Sequence, residues 1–358
     1  MDTASEITAV AISGGVDSLY ALALLKERGE NIIAVHARML PPDLAPAGYE
    51  AMLERMDATC STLGVPLSII DCVDAFAAAV IDPFVRAYAA GTTPNPCAHC
   101  NATIKFGLLL DQAQSLGATR LATGHYIRLE QSDSGIALYA AQDATKDQSY
   151  FLSLVPEKRL RFAVSPLASK KKDDIRAFLA TRGLTPPAPA ESQEICFVPN
   201  DDYRTFLETR AAKIGVQLPG AGPVVLPNDT VIGNHKGLWQ YTEGQRKGLG
   251  IAWREPLYVL AKDMDANTLL VGGAQDLTGR EVNVKDYNFL VPVEEWPDVV
   301  YIRTRFRQKP RQARVQWKDG YLLLQEDSPT GPHACGQIAT IYNADLRVLG
   351  GGVICQRK

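Results

Sequence analysis

No stretch of this sequence is apolar for long enough to cross a bilayer; none approaches the ~18–20 residues a span requires. The N-terminal MDTASEITAVAISGG also lacks the basic region that precedes the apolar core of a secretory signal. The two absences together lead us to expect a cytoplasmic protein with no membrane partner. Neither sign of charge dominates: the formal net charge is −3, so any nucleic-acid-binding surface must be local. Internal repeats and low-complexity segments are absent. Cysteine is sparse and odd in number, seven in 358 residues, which argues against a disulfide framework in a chain with no export signal. Four of the seven, Cys60, Cys72, Cys335 and Cys355, sit among apolar neighbours and read as small buried hydrophobes.

What is present suggests two regimes. Up to about residue 200, short apolar runs alternate with helical patterns. ITAVAIS, NIIAVHARM, VPLSIIDC and TRLATGHYIRLE read as strands. LYALALLKERG, residues 47–64, FAAAVIDPFVRAYAAG and KFGLLLDQAQSLGA read as helices. That alternation predicts an α/β fold with a doubly wound parallel sheet. A proline-rich segment, TPPAPAESQEICF (185–197), reads as a surface loop. Beyond about 215 the chain reads as short strands with frequent Gly and Pro, among them TVIGNH, LYVLAKD and NTLLVGG. From 281 onward YIRTRFR, ARVQW, YLLLQ, IATIY and VLGGGVI suggest a small C-terminal β-barrel or sandwich. We place the domains at 1–208, 209–278 and 279–358, the middle one a small linking domain and the last a β-barrel.

SGGVDS (13–18) lies at a strand-to-helix junction. Its two glycines let backbone amides turn toward an anion without Cβ clashes, and the helix behind adds its dipole. Ser13 and Ser18 supply hydroxyls, and Asp17 is a candidate Mg²⁺ ligand. The loop lacks the Lys-Ser/Thr ending of a Walker A motif. It resembles the pyrophosphate-binding PP-loop of ATP pyrophosphatases, which transfer AMP to an oxygen and release pyrophosphate. The motif alone names no substrate.

Five further stretches narrow the choice: TPNPCAHCNATIKF (93–106), LATGHYIR (121–128), KDQSYFL (146–152), ESQEICFVPNDDYRTFL (191–207) and GNHKGLWQYTEGQRKGLGI (233–251). With SGGVDS, and in this order over nearly the whole chain, they resemble the bacterial and organellar tRNA 2-thiouridylases. The resemblance implies ATP-dependent replacement of O2 of the wobble uridine by sulfur. Transfer of AMP to O2 makes that oxygen a leaving group, and a sulfur nucleophile then attacks C2. It implies Cys100 as nucleophile and Cys196, 96 residues later, as persulfide carrier, the two able to form a disulfide when sulfur is released. It places ATP among Ala11, Ile12, Ser13, Gly14, Gly15, Val16, Asp17, Ser18, Ala37 and Gly124, with adenine against the bare backbone of Gly124. The target base would meet Asn95, Pro96 and Cys97; the tRNA would meet Lys146, Asp147, Gln148, Arg305 and Phe306. Implied partners are lysine, glutamate and glutamine tRNAs and a sulfur-donor protein or sulfide.

The sequence departs from the family at Cys97, where many members carry Asp. A thiol has a reference pKa of ~8.5 against ~3.9 for that carboxylic acid, so Cys97 is a poorer substitute in the acid–base role the family assigns to this position, and that assignment stays open here. Cys97, Cys100 and Cys196 also make a CxxC plus one distant cysteine, which resembles the ligand set of iron–sulfur-dependent tRNA thiolases. The same three with His99 have the residue types of a structural zinc site. Spacing leaves the persulfide relay, the 4Fe–4S cluster and zinc all open.

Residues 299–318 hold seven basic side chains and no acidic one. Period 2 in YIRTRFR would put Arg303, Arg305 and Arg307 on one face of a strand, able to follow phosphates, with Phe306 packing inward or stacking on a base. Lys170 to Lys172 are expected to open a helix, and Gln245, Arg246 and Lys247 to be exposed to RNA. Two rival readings remain: a PP-loop synthetase or amidotransferase acting on a small metabolite, and a catalytically silent tRNA-binding protein.

Overall fold

The computed structural model describes residues 6–132, 135–188, 195–318 and 320–356. Residues 189–194 of TPPAPAESQEICF therefore lie outside the described residues. The chain forms two compact units. The first holds residues 1–80, 97–201 and 345–348; the second holds 81–96, 202–344 and 349–358.

The first unit is built on a five-stranded sheet of order β3-β2-β1-β4-β7, every pair parallel. Its strands are β1 (Ile7–Ala11), β2 (Asn31–Arg38), β3 (Leu67–Asp71), β4 (Arg120–Ala122) and β7 (Ala163–Val164). β1 is central, and ITAVA is nearly continuous in apolar residues because both of its faces are covered. Val10 pairs with Ala34 on one side and Ala122 on the other. Helix α1 (Val16–Glu27) follows β1 and buries residues 18–23 and Leu25, so it is apolar all round, as an interior helix must be. It packs with α2 (Tyr49–Thr62), through Met56 and Cys60, and with Ile175 and Leu179 of the helix Lys172–Ala180. Leu22 is 1% exposed in this cluster. Leu22→Ala should cost about 2–5 kcal/mol, because the cavity cannot collapse between covered elements. Differential scanning calorimetry would read this as a lowered first-unit transition.

TRLATGHYIRLE is not one strand. β4 ends at Ala122, residues 123–126 break away, and β5 (Ile127–Ser132) pairs antiparallel with β6 (Gly135–Ala140) in a separate hairpin. Of the three lysines expected to open a helix, only Lys172 is helical; Lys171 is extended at the N-cap.

In the second unit the helices Asp82–Ala89 and Tyr203–Lys213 are joined by Arg210, which donates from Nε to Asp82 at 2.9 Å, and by Phe84 edge-on to Phe206. A four-stranded sheet of order β10-β11-β8-β9 follows, from β8 (Gly222–Val225), β9 (Val231–His235), β10 (Tyr258–Asp263) and β11 (Thr268–Gly272). The C-terminal strands β12 (Glu281–Phe289), β13 (Val300–Arg303), β14 (Arg311–Lys318), β15 (Tyr321–Glu326), β16 (Ile338–Tyr342) and β17 (Val348–Cys355) close a barrel around Val284, Ile302, Leu324 and Ile341. The closed barrel removes free strand edges, resolving the barrel-or-sandwich alternative.

YIRTRFR is a strand only as far as Arg303. There the Gln308 side chain accepts from the Thr304 N–H at 2.7 Å, and residues 304–307 turn, with Arg307 at φ +61°. The expected row of Arg303, Arg305 and Arg307 on one strand face does not exist. Arg303 is 6% exposed with its guanidinium over Tyr342, whereas Arg305 and Arg307 are exposed on the turn.

Candidate active site

In an open α/β sheet, ligands bind beyond the carboxyl ends of the strands where strand order reverses. Here that point lies between β1 and β4, and SGGVDS leaves the carboxyl end of β1 there. SGGVDS bridges β1 to α1. Gly14 takes φ +84°, which only glycine adopts freely. The Ser13 N–H donates to Ser18 Oγ at 3.2 Å, and Ser18 Oγ donates to the Gly15 carbonyl at 3.0 Å, closing the loop on the first helical turn. His36 braces the loop from β2. Its Nδ1 is 2.8 Å from the Ile12 carbonyl, which can only accept, so Nδ1 carries the proton and Nε2 accepts from the Tyr49 hydroxyl, also at 2.8 Å. Burial lowers the pKa of His36, which keeps it neutral, as this arrangement needs.

Asp17 is not a free metal ligand. Lys172 Nζ donates to both its oxygens, at 2.9 and 2.8 Å, and the Tyr126 hydroxyl donates to Oδ1 at 2.8 Å. With an ammonium already paired to this carboxylate, Asp17 as placed does not fit direct Mg²⁺ coordination. At Gly124 a Cβ would lie 3.0 Å from Ser18 N and 3.1 Å from Asp17 C, so the first turn of α1 occupies the place a side chain would take. Asp147 and Gln148 form an internal brace. Asp147, 3% exposed, accepts from the Ala141 N–H at 2.9 Å and the Ser149 hydroxyl at 3.0 Å. Gln148 Oε1 accepts from the Tyr126 N–H at 2.9 Å. Thus Gln148 positions Tyr126, and Tyr126 holds Asp17. Lys146 is half-buried in the preceding turn.

The thiols come next. Pro96 opens the short helix Pro96–Cys100, where its missing N–H costs nothing. Residues 101–109 continue it as a π-helix that carries Lys105, whose charge acts on the Cys100 thiol. Cys97 is half-buried, Cys100 is 7% exposed and Asn95 is 7% exposed. Despite the separation in sequence, Cys196 is close enough for Cys97, Cys100 and Cys196 to act on one another electrostatically. Burial pushes the Cys100 thiol up to about 12 and Cys196 up to about 11, with Cys97 also raised; Lys105 opposes the shift at all three. Cys196 is exposed at its surface yet packed closely enough by neighbouring protein to feel this desolvation. Lys105 was missed in the sequence, as was its partner His125. Lys105 Nζ lies 3.4 Å from His125 Nε2, and Nδ1 faces Thr123 Oγ1 at 2.9 Å. Burial, helped by Lys105, holds His125 well below the usual histidine range, so its neutral ring accepts from the ammonium.

Among the described residues, no group of three or more His, Cys, Asp or Glu is gathered so as to hold a metal ion. As placed, the three cysteines do not fit a 4Fe–4S cluster, nor do they with His99 fit zinc. Among the described residues no helix is long and apolar enough to cross a membrane. A cavity of about 820 Å³ opens beyond β2 and β3, lined in part by Arg38, Tyr49, Asp71 and Cys72.

Three family models match in succession: a tRNA methyl transferase HUP domain over residues 6–200, a tRNA methyl transferase PRC-barrel domain over 211–273 and an aminomethyltransferase β-barrel domain over 279–354. The chain is 53% identical over 348 residues to the tRNA-specific 2-thiouridylase MnmA of Nitratidesulfovibrio vulgaris (Miyazaki F), covering 97% of this chain and 98% of that one. It is 46% identical to the tRNA-specific 2-thiouridylase MnmA of Lawsonia intracellularis, with the same coverage of each. A solved structure, the U34-tRNA thiolase NcsA from Methanococcus maripaludis with its 4Fe–4S cluster, is similar over 58% of this chain and 65% of its own, at 18% identity and TM-score 0.36. With half its residues shared along almost its entire length, this chain belongs to the tRNA-specific 2-thiouridylase family.

Proposed function

We propose that this protein is an ATP-dependent tRNA-uridine 2-sulfurtransferase acting on the wobble uridine of lysine, glutamate and glutamine tRNAs in the cytoplasm. The observation that carries the reading is the presence, within one unit, of the SGGVDS loop closed on the first turn of α1 and of Cys97, Cys100 and Cys196 from distant parts of the chain. ATP lies with its phosphates at the loop and the first turn of α1. Uridine O2 attacks the α-phosphorus, the O2–P bond forms, and pyrophosphate leaves. A sulfur donor loads Cys196 as a persulfide. The Cys100 thiolate then attacks the inner sulfur of that persulfide; the Cys196–Cys100 disulfide forms, and hydrosulfide departs with the bonding electrons. Hydrosulfide attacks C2, the C2–O2 bond breaks, and AMP leaves carrying O2. An external dithiol reduces the Cys196–Cys100 disulfide, itself becoming a disulfide, and frees both thiols for the next cycle.

Both thiols are held neutral by burial, so ionising Cys100 is a demand of the step, and Lys105 is the cation beside it that favours the thiolate. Asn95, Pro96 and Cys97 face the base in this reading, and Arg305 and Phe306 meet the tRNA from the exposed turn of the barrel. Relatives named as 2-thiouridylases along the full chain disfavour both the small-metabolite synthetase and the silent RNA-binding protein. The test is nucleoside analysis of unmodified tRNA incubated with the protein, ATP and a persulfide donor. The expected product is 2-thiouridine at the wobble position, with AMP and pyrophosphate formed in equal amounts. A methylated uridine, or thiolation independent of ATP, would overturn the proposal.

A further inference from the structure

The chain passes from the second unit to the first between Pro96 and Cys97. The residues just ahead of that point, 92–95, belong to no helix or strand. Pro94 and Pro96 have no N–H, so this segment is poor in donors, and its carbonyls need partners from elsewhere. Two loops of the second unit supply them. From one, the Cys335 carbonyl accepts from the Thr93 N–H at 2.7 Å, and Gln337 Nε2 donates to both the Thr93 carbonyl at 2.9 Å and the Pro94 carbonyl at 3.1 Å. Gly336 lets the strands of chain approach: a Cβ there would lie 3.0 Å from the Thr93 carbonyl carbon and oxygen. From the other loop, the Thr242 hydroxyl meets the Thr93 hydroxyl at 3.0 Å.

Both loops are themselves pinned. The Gln337 carbonyl accepts from the Ile354 N–H at 2.8 Å, and the Gly336 N–H donates to the Ile354 carbonyl at 2.8 Å, tying the first to β17. Beneath the second, the buried Lys262 Nζ donates to the Tyr241 carbonyl at 2.9 Å and lies 3.5 Å from Glu243. The segment is therefore held on its backbone, not merely packed. Its next residues are the helix that carries Cys97 and Cys100.

We propose that Gln337 is a positioning residue for sulfur transfer: by fixing the Thr93 and Pro94 carbonyls it sets where the helix Pro96–Cys100 begins, and so where the Cys100 thiol stands when it reacts. This rests on the reading of Cys100 as the nucleophile. In this reading ATP does not touch the clasp, and of the tRNA only the target base meets the residues that follow it, so its loss should appear in turnover far more than in binding. A misplacement of reacting atoms by about 1 Å can cost up to about 100-fold, and a partial loosening should cost about tenfold.

The test is Gln337→Met, which keeps the length and removes the donor. The expected result is a kcat for 2-thiouridine formation lowered about tenfold, with KM for tRNA and for ATP each within about twofold. Peptide mapping after a timed iodoacetamide pulse should show Cys97 and Cys100 labelled about threefold faster or more, and Cys196 unchanged. Thr242→Val, which removes only the hydroxyl contact, should move both readouts the same way by less, and it serves if Gln337→Met fails to fold. Labelling reads the helix position whether or not the protein thiolates tRNA, so it separates failure of this proposal from failure of the functional reading. Unchanged labelling of Cys97 and Cys100 would overturn the positioning role; altered labelling with unchanged kcat would overturn its link to catalysis.

Discussion

Cys100→Ser will abolish sulfur incorporation into tRNA, by about 10³-fold or more, while leaving ATP binding and the fold intact. The substitution exchanges one atom in a side chain that is 7% exposed, so packing is nearly unchanged. A serine hydroxyl is far less ionised and less nucleophilic than a thiol, and it cannot form the disulfide that lets hydrosulfide leave. The phosphate loop is built from other chain segments, so uridine activation should survive, and AMP release should then uncouple from thiolation. Cys196→Ser should give the same loss through absence of the persulfide. The double variant should be no worse than either single one, since the two thiols act in one step. A pH signature accompanies this. Burial pushes the Cys100 thiol up to about 12, so across neutral pH the group is a thiol in nearly every molecule. Its thiolate fraction then grows about tenfold per pH unit, and a sulfur-transfer step limited by that thiolate must speed up as pH rises from 7 toward 9. Cys60→Ser is the control: its thiol lies in the helix core and has no part in the reaction. Retained thiolation in both Cys100→Ser and Cys196→Ser would remove the thiols from the mechanism.

The SGGVDS loop was legible in the sequence because everything that makes it is local: a buried strand, two glycines, two serine hydroxyls and an apolar helix within a few residues. The parallel sheet was legible for the same reason, through alternating periodicities, and so was the change to short β-strands after about 215. What lay beyond reading depended on contacts between distant segments. Lys105 stands five residues after Cys100, on a different face of any α-helix, so its effect on the thiols from a π-helical stretch has no signature in the spacing. His125 became significant only once Lys105 was beside it. YIRTRFR has the alternation of a strand, but a side chain one residue beyond it, Gln308, captures the Thr304 N–H and ends the ladder. Nothing local in KDQSYFL signals that Asp147 is buried and bonded to its own loop, to the Ala141 N–H and the Ser149 hydroxyl. Nor could the sequence divide the chain as the fold does, since residues 81–96 leave the first unit and return at Cys97.

Gly124→Val should weaken ATP binding by about 10²-fold without affecting tRNA affinity. Gly124 is not among the glycines with positive φ, so a side chain there meets no backbone strain and the effect isolates packing. The first added atom would lie 3.0 Å from Ser18 N, 3.1 Å from Asp17 C and 3.2 Å from Asp17 Cβ, all belonging to the first turn of α1. Backbone atoms of a helix buried nearly all round cannot rotate aside as a flexible side-chain tip would. The turn itself must shift, and with it the N–H groups that face the phosphates. Hydrogen bonds to a charged group are worth about 1.5–3 kcal/mol each, so misaligning one or two gives the stated loss. Gly124→Ala adds only the first atom and should cost about tenfold or less, because a shift of a few tenths of an ångström relieves its contacts. Isothermal titration with a non-hydrolysable ATP analogue reads both variants, and filter binding of tRNA supplies the control. A graded loss from Gly to Ala to Val would fix the phosphates at this turn through the very contact that the bare glycine permits. Unchanged ATP affinity in Gly124→Val, in a protein that still folds, would mean that the phosphates bind elsewhere and that SGGVDS only caps a helix.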